Sequence, residues 1–289
     1  MKNVLITGCS SGFGYAAAKY LAEKGHSVYA TMRNVNGKNE KTASDLRDFG
    51  KERNLSITVL EMDVTSDESV KAAAEQIPQV DVLINNAGNG YGGTIESFSS
   101  SEVLAQLDLN IVGTVRTAKA ILPKMRAQKS GLIIQLSSLA GRASFPANGV
   151  YCASKWGLEG LSEALRYELA PLGIDVVIVE PGPFSTNFIK NMVNTNNSEF
   201  ADDYQHVNAF YEGFINQLKA AYEDSNAPTD PMLIAQAFEK LIDLPNGSRP
   251  LRTIVGLDFG LQALNDSVEP IRKGVLASMG LAEWDGPQS

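Results

Sequence analysis

The 289-residue chain holds only two histidines, His26 and His206, and two cysteines, Cys9 and Cys152. So few histidines nearly exclude a histidine-based dehydrogenase, a zinc centre and most triad hydrolases. The cysteines have no metal-ligand spacing and make no disulfide framework, so no metal is expected and a reducing compartment is the default. No apolar run approaches membrane-spanning length, and Met1-Lys2-Asn3-Val4 runs straight into a strand-like segment with no signal peptide before it. The expectation is a cytoplasmic protein with no membrane partner. Positive charge is also short. With 25 Lys and Arg against 33 Asp and Glu, the net charge of −8 argues against a nucleic-acid or anionic-surface partner.

Apolar residues, by contrast, make up 44% of the chain, ample for a large core. Short apolar runs at 4–6, 27–31, 57–61, 82–84, 132–136, 176–179 and 253–255 alternate with amphipathic stretches such as 15–24, 67–76, 102–126 and 152–170. This alternation predicts an α/β fold, a single-domain Rossmann-type doubly wound parallel sheet with helices on both faces. No repeat or low-complexity linker divides residues 1–289, which are read as one domain. Residues 184–225 read as a substrate-binding insert. An Asn-rich stretch is followed by Tyr204, Val207, Phe210, Tyr211, Phe214 and Leu218 at helical spacing. Because it follows Thr186 directly, this insert is expected to be a lid. Thr229-Asp230-Pro231 marks a further helix start, and 269–279 reads as a final helix near the pocket or at a subunit contact.

The chemistry concentrates in two stretches, Ser137-Ser138 after the 132–136 run and Tyr151-Cys152-Ala153-Ser154-Lys155 at a helix start. Tyr151 and Lys155 are four apart and share one helix face. A neighbouring cation favours tyrosinate, so Tyr151 is expected below its usual pKa of about 10, able to exchange a proton with an alcohol or carbonyl. Ser138 is placed to hydrogen-bond the same oxygen.

Thr7-Gly8-Cys9-Ser10-Ser11-Gly12-Phe13-Gly14 lies between the first strand and first helix. Its glycines let backbone N–H groups close on a pyrophosphate at a helix N-terminus. The same residues contain G-x-S-x-G, a nucleophile elbow, but that reading lacks a catalytic histidine downstream. Strand two ends at Met32-Arg33 with no carboxylate for a ribose 2′-hydroxyl. Arg33 instead suits a 2′-phosphate, with Ser11 adding a hydroxyl, so NADP(H) is expected over NAD(H). Asp63 and Val64 suit an adenine edge and face, and Asn86-Ala87-Gly88 allows backbone approach to a ribose. Asn110, amid apolar residues of the 102–126 helix, needs buried partners. Pro181, Gly182 and Thr186 follow strand six, where Thr186 can hold a carboxamide. Tyr91, Phe145 and Phe184 on neighbouring loops predict an apolar substrate body.

Taken together, these stretches resemble the short-chain dehydrogenase/reductase family, from Lys2 to about Thr186. The resemblance rests on Thr7-Gly8-(x3)-Gly12-x-Gly14, Asp63, Asn85-Asn86-Ala87-Gly88, Asn110, Ser138, Tyr151-x-x-x-Lys155 and Pro181-Gly182. The Ser138–Tyr151 offset of 13 selects Ser138 over Ser137. The nearest branch is that of NADP-using hydroxysteroid and retinol dehydrogenases. The resemblance implies a catalytic tetrad. Tyr151 is the general acid or base, and Ser138 holds the substrate oxygen. Lys155 binds the nicotinamide ribose and depresses the Tyr151 pKa, and Asn110 positions a water linked to Lys155. It also implies a small-molecule alcohol or carbonyl substrate and a homodimer or homotetramer. A non-catalytic NADPH-binding regulator and a reductase of activated C=C bonds are the alternatives.

Overall fold

The computed structural model describes residues 1–195, 197, 199–200 and 202–288. Asn196, Ser198 and Ala201, inside the expected insert, and Ser289 lie outside the described residues. Val4, Leu5 and Ile6 in β1 (Asn3–Ile6) are fully buried, as are all eight residues of β7 (Ile174–Pro181). Strands apolar on both faces belong in a parallel sheet covered from both sides. With β2 (Ser27–Met32), β3 (Ile57–Glu61), β4 (Val82–Asn85), β6 (Gly131–Leu136) and β9 (Arg252–Val255), they form a seven-stranded sheet of order β3-β2-β1-β4-β6-β7-β9, every pair parallel.

Alternate residues of each strand feed two cores. Val4, Ile6, Ile84, Ile134 and Val177 pack toward α1 (Gly12–Glu23) and α8 (Met232–Asp243), through Ala17, Leu21, Ile234 and Phe238. Leu5, Leu83, Ile133 and Val176 pack toward α3 (Asp67–Glu75) and α5 (Gly113–Gln128) and the Leu169 end of α6 (Gly149–Leu169). Strand order runs one way from β1 to β3 and the other way from β4 onward. That reversal opens a crevice at the carboxyl ends of β1 and β4, the usual ligand position in such sheets.

Four features depart from the sequence reading. α1 starts at Gly12, not residue 15, because the glycine turn itself forms its first turn. The expected 102–126 helix is broken into α4 (Ser100–Leu107), a π turn (Asp108–Val112) and α5. A π turn inserts one extra residue into the helical ladder, and here it turns Asn110 inward. α9 (Leu261–Ser278) begins eight residues before the expected start at 269, with Pro270 inside it. Finally, α2 (Glu40–Arg53) and a second, two-stranded sheet, β5 (Tyr91–Gly92) with β8 (Val193–Asn194), had no expectation. Beyond β8, α7 (Gln205–Glu223) supplies the expected amphipathic helix.

Candidate active site

The crevice floor is the turn from β1 into α1. Gly8 has φ +74°, and a Cβ on it would lie 2.8 Å from Ala87 Cα. A Cβ on Gly14 would lie 2.5 Å from Asn86 Nδ2. Asn86 is what holds this turn: its Nδ2 donates to the carbonyls of Thr7 (2.7 Å) and Gly8 (3.1 Å). Thr7 Oγ1 accepts in return from the N–H groups of Asn86 (3.0 Å) and Ala87 (2.9 Å). The β1 and β4 loops are therefore locked together. Gly12, at φ +56°, has open space beside it. Ser11, the N-cap of α1, makes no side-chain cap bond, and the first turn carries no acidic residue. The open glycine, the uncommitted hydroxyl and the positive helix end fit a dinucleotide pyrophosphate.

Around that floor, Arg33 is 60% exposed, with its guanidinium 3.8 Å from Asp63. Asp63 Oδ1 accepts from Thr65 N–H (3.0 Å) and hydroxyl (2.7 Å), which leaves Oδ2 turned to Arg33. Val64 packs against Gly113 of α5. Glu61, which drew no notice in the sequence, accepts from the N–H groups of Asn34 (2.7 Å) and Val35 (2.8 Å) and so shapes the Arg33 loop.

Ser138, Tyr151 and Lys155 converge at the carboxyl end of β6. Ser138 Oγ accepts from Ala140 N–H (3.1 Å), and the Ser138 side chain beside the Tyr151 hydroxyl favours the tyrosinate. Of the two serines, Ser138 reaches Tyr151 and Ser137 is buried without a protein partner among the described residues. The Lys155 ammonium lies 5.8 Å from the Tyr151 ring centre and donates to the Leu136 carbonyl (2.8 Å). Tyr151 departs from its expected acidity. Burial pushes it up to about 12, against the opposing effect of Ser138. Burial also pulls Lys155 down to about 8, against the Glu159 charge. Desolvation disfavours both charged forms.

Asn110 ties this group to the crevice. Its Nδ2 donates to Ser154 Oγ (2.9 Å) and the Asn89 carbonyl (3.0 Å), and its Oδ1 accepts from Asn89 N–H (3.2 Å). Ser154 in turn donates to the Tyr151 carbonyl (2.7 Å). Both amide hydrogens are taken by protein acceptors, so the side-chain amide of Asn110 serves as a clamp between Asn89 and Ser154. Gly88 lies beside it, a Cβ there falling 3.0 Å from Asn110 Oδ1. Thr7 belongs to the glycine-turn motif, whereas Asn89 and Ser154 carry this scaffold without any pattern in the sequence that gives them a role.

The substrate side is built by the chain after β7. Pro181 pairs with Val255, and Gly182 N–H donates to the Val255 carbonyl (2.9 Å). Thr186 accepts from Phe188 N–H (3.2 Å). Phe188 lies 5.5 Å from the Tyr151 ring, and Tyr91 lies on β5 facing β8. Phe145 packs beside Phe214 of α7 at 6.1 Å. Phe184, expected on the pocket wall, is instead 4% exposed and meets Phe13 edge-on at 5.2 Å, inside the α1–α8 core. Its apolar bulk finds more burial under α1 than at the crevice. The nucleophile-elbow alternative has no histidine. His26 is bound to Glu239 (2.9 Å) and Lys2 N–H (3.2 Å), and His206 stacks on Tyr204.

A family model described as short chain dehydrogenase matches residues 2–197. The chain belongs to that family. This short chain dehydrogenase is 38% identical over 257 residues to the 3-ketodihydrosphingosine reductase of Bacteroides thetaiotaomicron, covering 88% of this chain and 87% of that protein. It is 36% identical over 252 residues to human 17-beta-hydroxysteroid dehydrogenase type 1, covering 84% and 74%. Among solved structures, an actinorhodin polyketide ketoreductase with NADPH superposes with a TM-score of 0.71 at 26% identity, covering 90% of this chain and 97% of that one. The family is one of oxidoreductases, and no helix among the described residues is long and apolar enough to cross a membrane.

Proposed function

We propose that this short chain dehydrogenase is an NADP(H)-dependent oxidoreductase. It interconverts a secondary alcohol and a ketone, or a primary alcohol and an aldehyde, on a substrate with an apolar body. The carrying observation is the grouping of Ser138, Tyr151 and buried Lys155, the ammonium 5.8 Å from the Tyr151 ring centre, at the carboxyl end of β6. Relatives named for a ketosphingosine and a hydroxysteroid support a keto or hydroxyl group on a large apolar frame. Tyr91, Phe145, Phe188 and Met192 supply a matching wall.

NADP(H), when bound, supplies or takes the hydride. The α1 N-terminus with Gly8, Ser10, Ser11, Gly12, Phe13 and Gly14 holds its pyrophosphate, and Arg33 its 2′-phosphate. Asp63 and Val64 take the adenine, Ala87 and Gly88 border the ribose, and Pro181, Gly182 and Thr186 seat the carboxamide. Lys155 binds the ribose hydroxyls. Tyr151, protonated across the neutral range, donates to the substrate oxygen in reduction and takes the proton back in oxidation. Ser138 holds that oxygen and stabilises its developing charge. Lys155 offsets the tyrosinate left behind, so reduction is expected to weaken as pH rises through about 8, where Lys155 loses its proton. The enzyme works in the cytoplasm as a homodimer or homotetramer, an assembly supported by the family resemblance.

The test is NADPH consumption over ketones and aldehydes graded by size and polarity. Tyr151→Phe is expected to lower turnover about 10³-fold with NADPH binding intact. Tight NADPH binding with no turnover of any carbonyl would overturn the reading in favour of a regulator.

A further inference from the structure

Beneath α6, a strip of the sheet is polar where apolar residues would fill it. Asn85 and Gln135 are cross-strand neighbours on β4 and β6. Ser137 is two residues past Gln135 on the same face, and Glu180 of β7 lies one position past the Leu136–Val179 pair. Above the strip, Lys155 and Glu159 lie one turn apart on α6. All six residues are buried. Asn85 Nδ2, both polar atoms of Gln135, Ser137 Oγ, Glu159 Oε1 and Glu180 Oε1 have no protein hydrogen-bond partner among the described residues. A Cβ on Gly141 would lie 2.8 Å from Ser137 Oγ and 3.2 Å from Glu159 Oε1, so the glycine leaves both oxygens facing one small space. Buried polar atoms of this kind bind ordered water.

The charges on the strip are few and each is placed. Glu159 Oε2 accepts from Arg252 (2.9 Å), which also bonds Glu163 (2.8 Å) and lies 3.6 Å from Glu180 Oε1. Arg142 lies 3.8 Å from Glu180 and donates to Asn265, whose amide donates to Glu180 Oε2 at 2.5 Å. Burial and then the Glu159 charge push Glu180 up to about 7, so Glu180 is the carboxyl of the strip that takes up a proton near neutrality. Glu159 is also the carboxylate that acts on Lys155.

We propose that Glu159 is a positioning residue that keeps Lys155 protonated, with Glu180 holding the proton that leaves Glu159 charged and a row of bound water joining the three. The inference rests on the reading that Lys155 serves the reaction. The two are tested apart by following Lys155 directly, in the full-length enzyme without substrate, by NMR of ¹³Cε-labelled lysine. The Lys155 signal is assigned by its loss in Lys155→Arg.

Glu159→Gln is expected to lower the Lys155 midpoint by about one pH unit, and Glu159→Asp to restore most of it. Glu180→Gln, which mimics the protonated acid, leaves the midpoint in place or raises it. The alkaline limb of the NADPH-consumption profile moves with it. A midpoint unmoved by Glu159→Gln, or lowered equally by Glu180→Gln, overturns the proposal. Where Glu159→Gln does not fold, Glu180→Gln decides alone, because a fall in midpoint contradicts a retained Glu159 charge. A second measurement is stability against pH. Glu180 is raised from 4.5 to about 7, so the folded state binds more protons in that window and stability falls as pH rises through it. Glu180→Gln should flatten that slope, and an unchanged slope counts against the shared proton. Failure to find any turnover, with Lys155 titrating as expected, sinks the oxidoreductase reading and leaves this one standing.

Discussion

Helices α6 and α7 are close in length and differ in how they are held. Ten of the 21 residues of α6 are buried, Tyr151 and Lys155 among them. Of the 19 residues of α7, Leu218 is the buried one among its described residues, and Phe210 is 43% exposed. The segment leading to α7 is held mainly at its entrance. Val193 N–H donates to the Gly90 carbonyl (2.9 Å), Thr195 to the Ser97 carbonyl (2.7 Å) and the Tyr204 hydroxyl to Glu96 (2.7 Å). The difference teaches a division of labour. The proton transfer proposed for Tyr151 needs groups held to a fraction of an ångström, and Tyr151 and Lys155 lie on an element that cannot shift without opening the core. In the proposed reaction substrate entry needs an element whose release exposes little apolar area, and α7 is such an element.

The sharpest way to test this contrast is to crowd the crevice floor beside the Asn86 clamp and the segment leading to α7 with the same substitution. Gly14→Val drives a side chain into Asn86 Nδ2 and the Gly8 carbonyl, both fixed. It is expected to cost about 2–3 kcal/mol in urea unfolding and to remove NADPH binding measured by fluorescence titration. Gly90→Val meets the far ends of Phe188 and Met192, which can swing away. Stability should change by less than about 0.5 kcal/mol, while KM for the carbonyl rises roughly tenfold. Equal destabilisation by the two would mean that the segment leading to α7 is held as rigidly as the floor.

Arg33→Asp probes the floor where it is exposed and should shift the NADPH/NADH preference about tenfold toward NADH, with stability unchanged. An unchanged preference makes Arg33 a bystander of Asp63. The smallest effect is expected from Tyr204→Phe. Losing one exposed hydrogen bond should alter KM less than about twofold and stability by under about 0.5 kcal/mol, with limited proteolysis near α7 slightly faster.

The same contrast governs what could be read in advance. The seven strands of the main sheet were legible because short apolar runs alternate with amphipathic stretches, the order that a parallel sheet covered on both faces requires. Ser138, Tyr151 and Lys155 were legible because their spacing fits one strand end and one helix face. The β5–β8 pair was not, since two residues per strand carry no period. The π turn was not, because the partners that Asn110 meets there, Asn89 and Ser154, are distant in sequence. Phe184 was misplaced because an aromatic after β7 reads the same whether it faces Phe13 or the crevice.

The amino-acid order by itself determined the alternation of strand and helix, the glycine turn at a helix start, and which side chains of α6 share a face. These are local consequences of side-chain period and backbone freedom. Tertiary structure alone decided the acidity of Tyr151 and Lys155, the use of Asn86 and Asn110 as clamps, and the polar strip beneath α6. Each depends on how much water is excluded and on which distant segment arrives, and neither quantity is encoded in spacing along the chain.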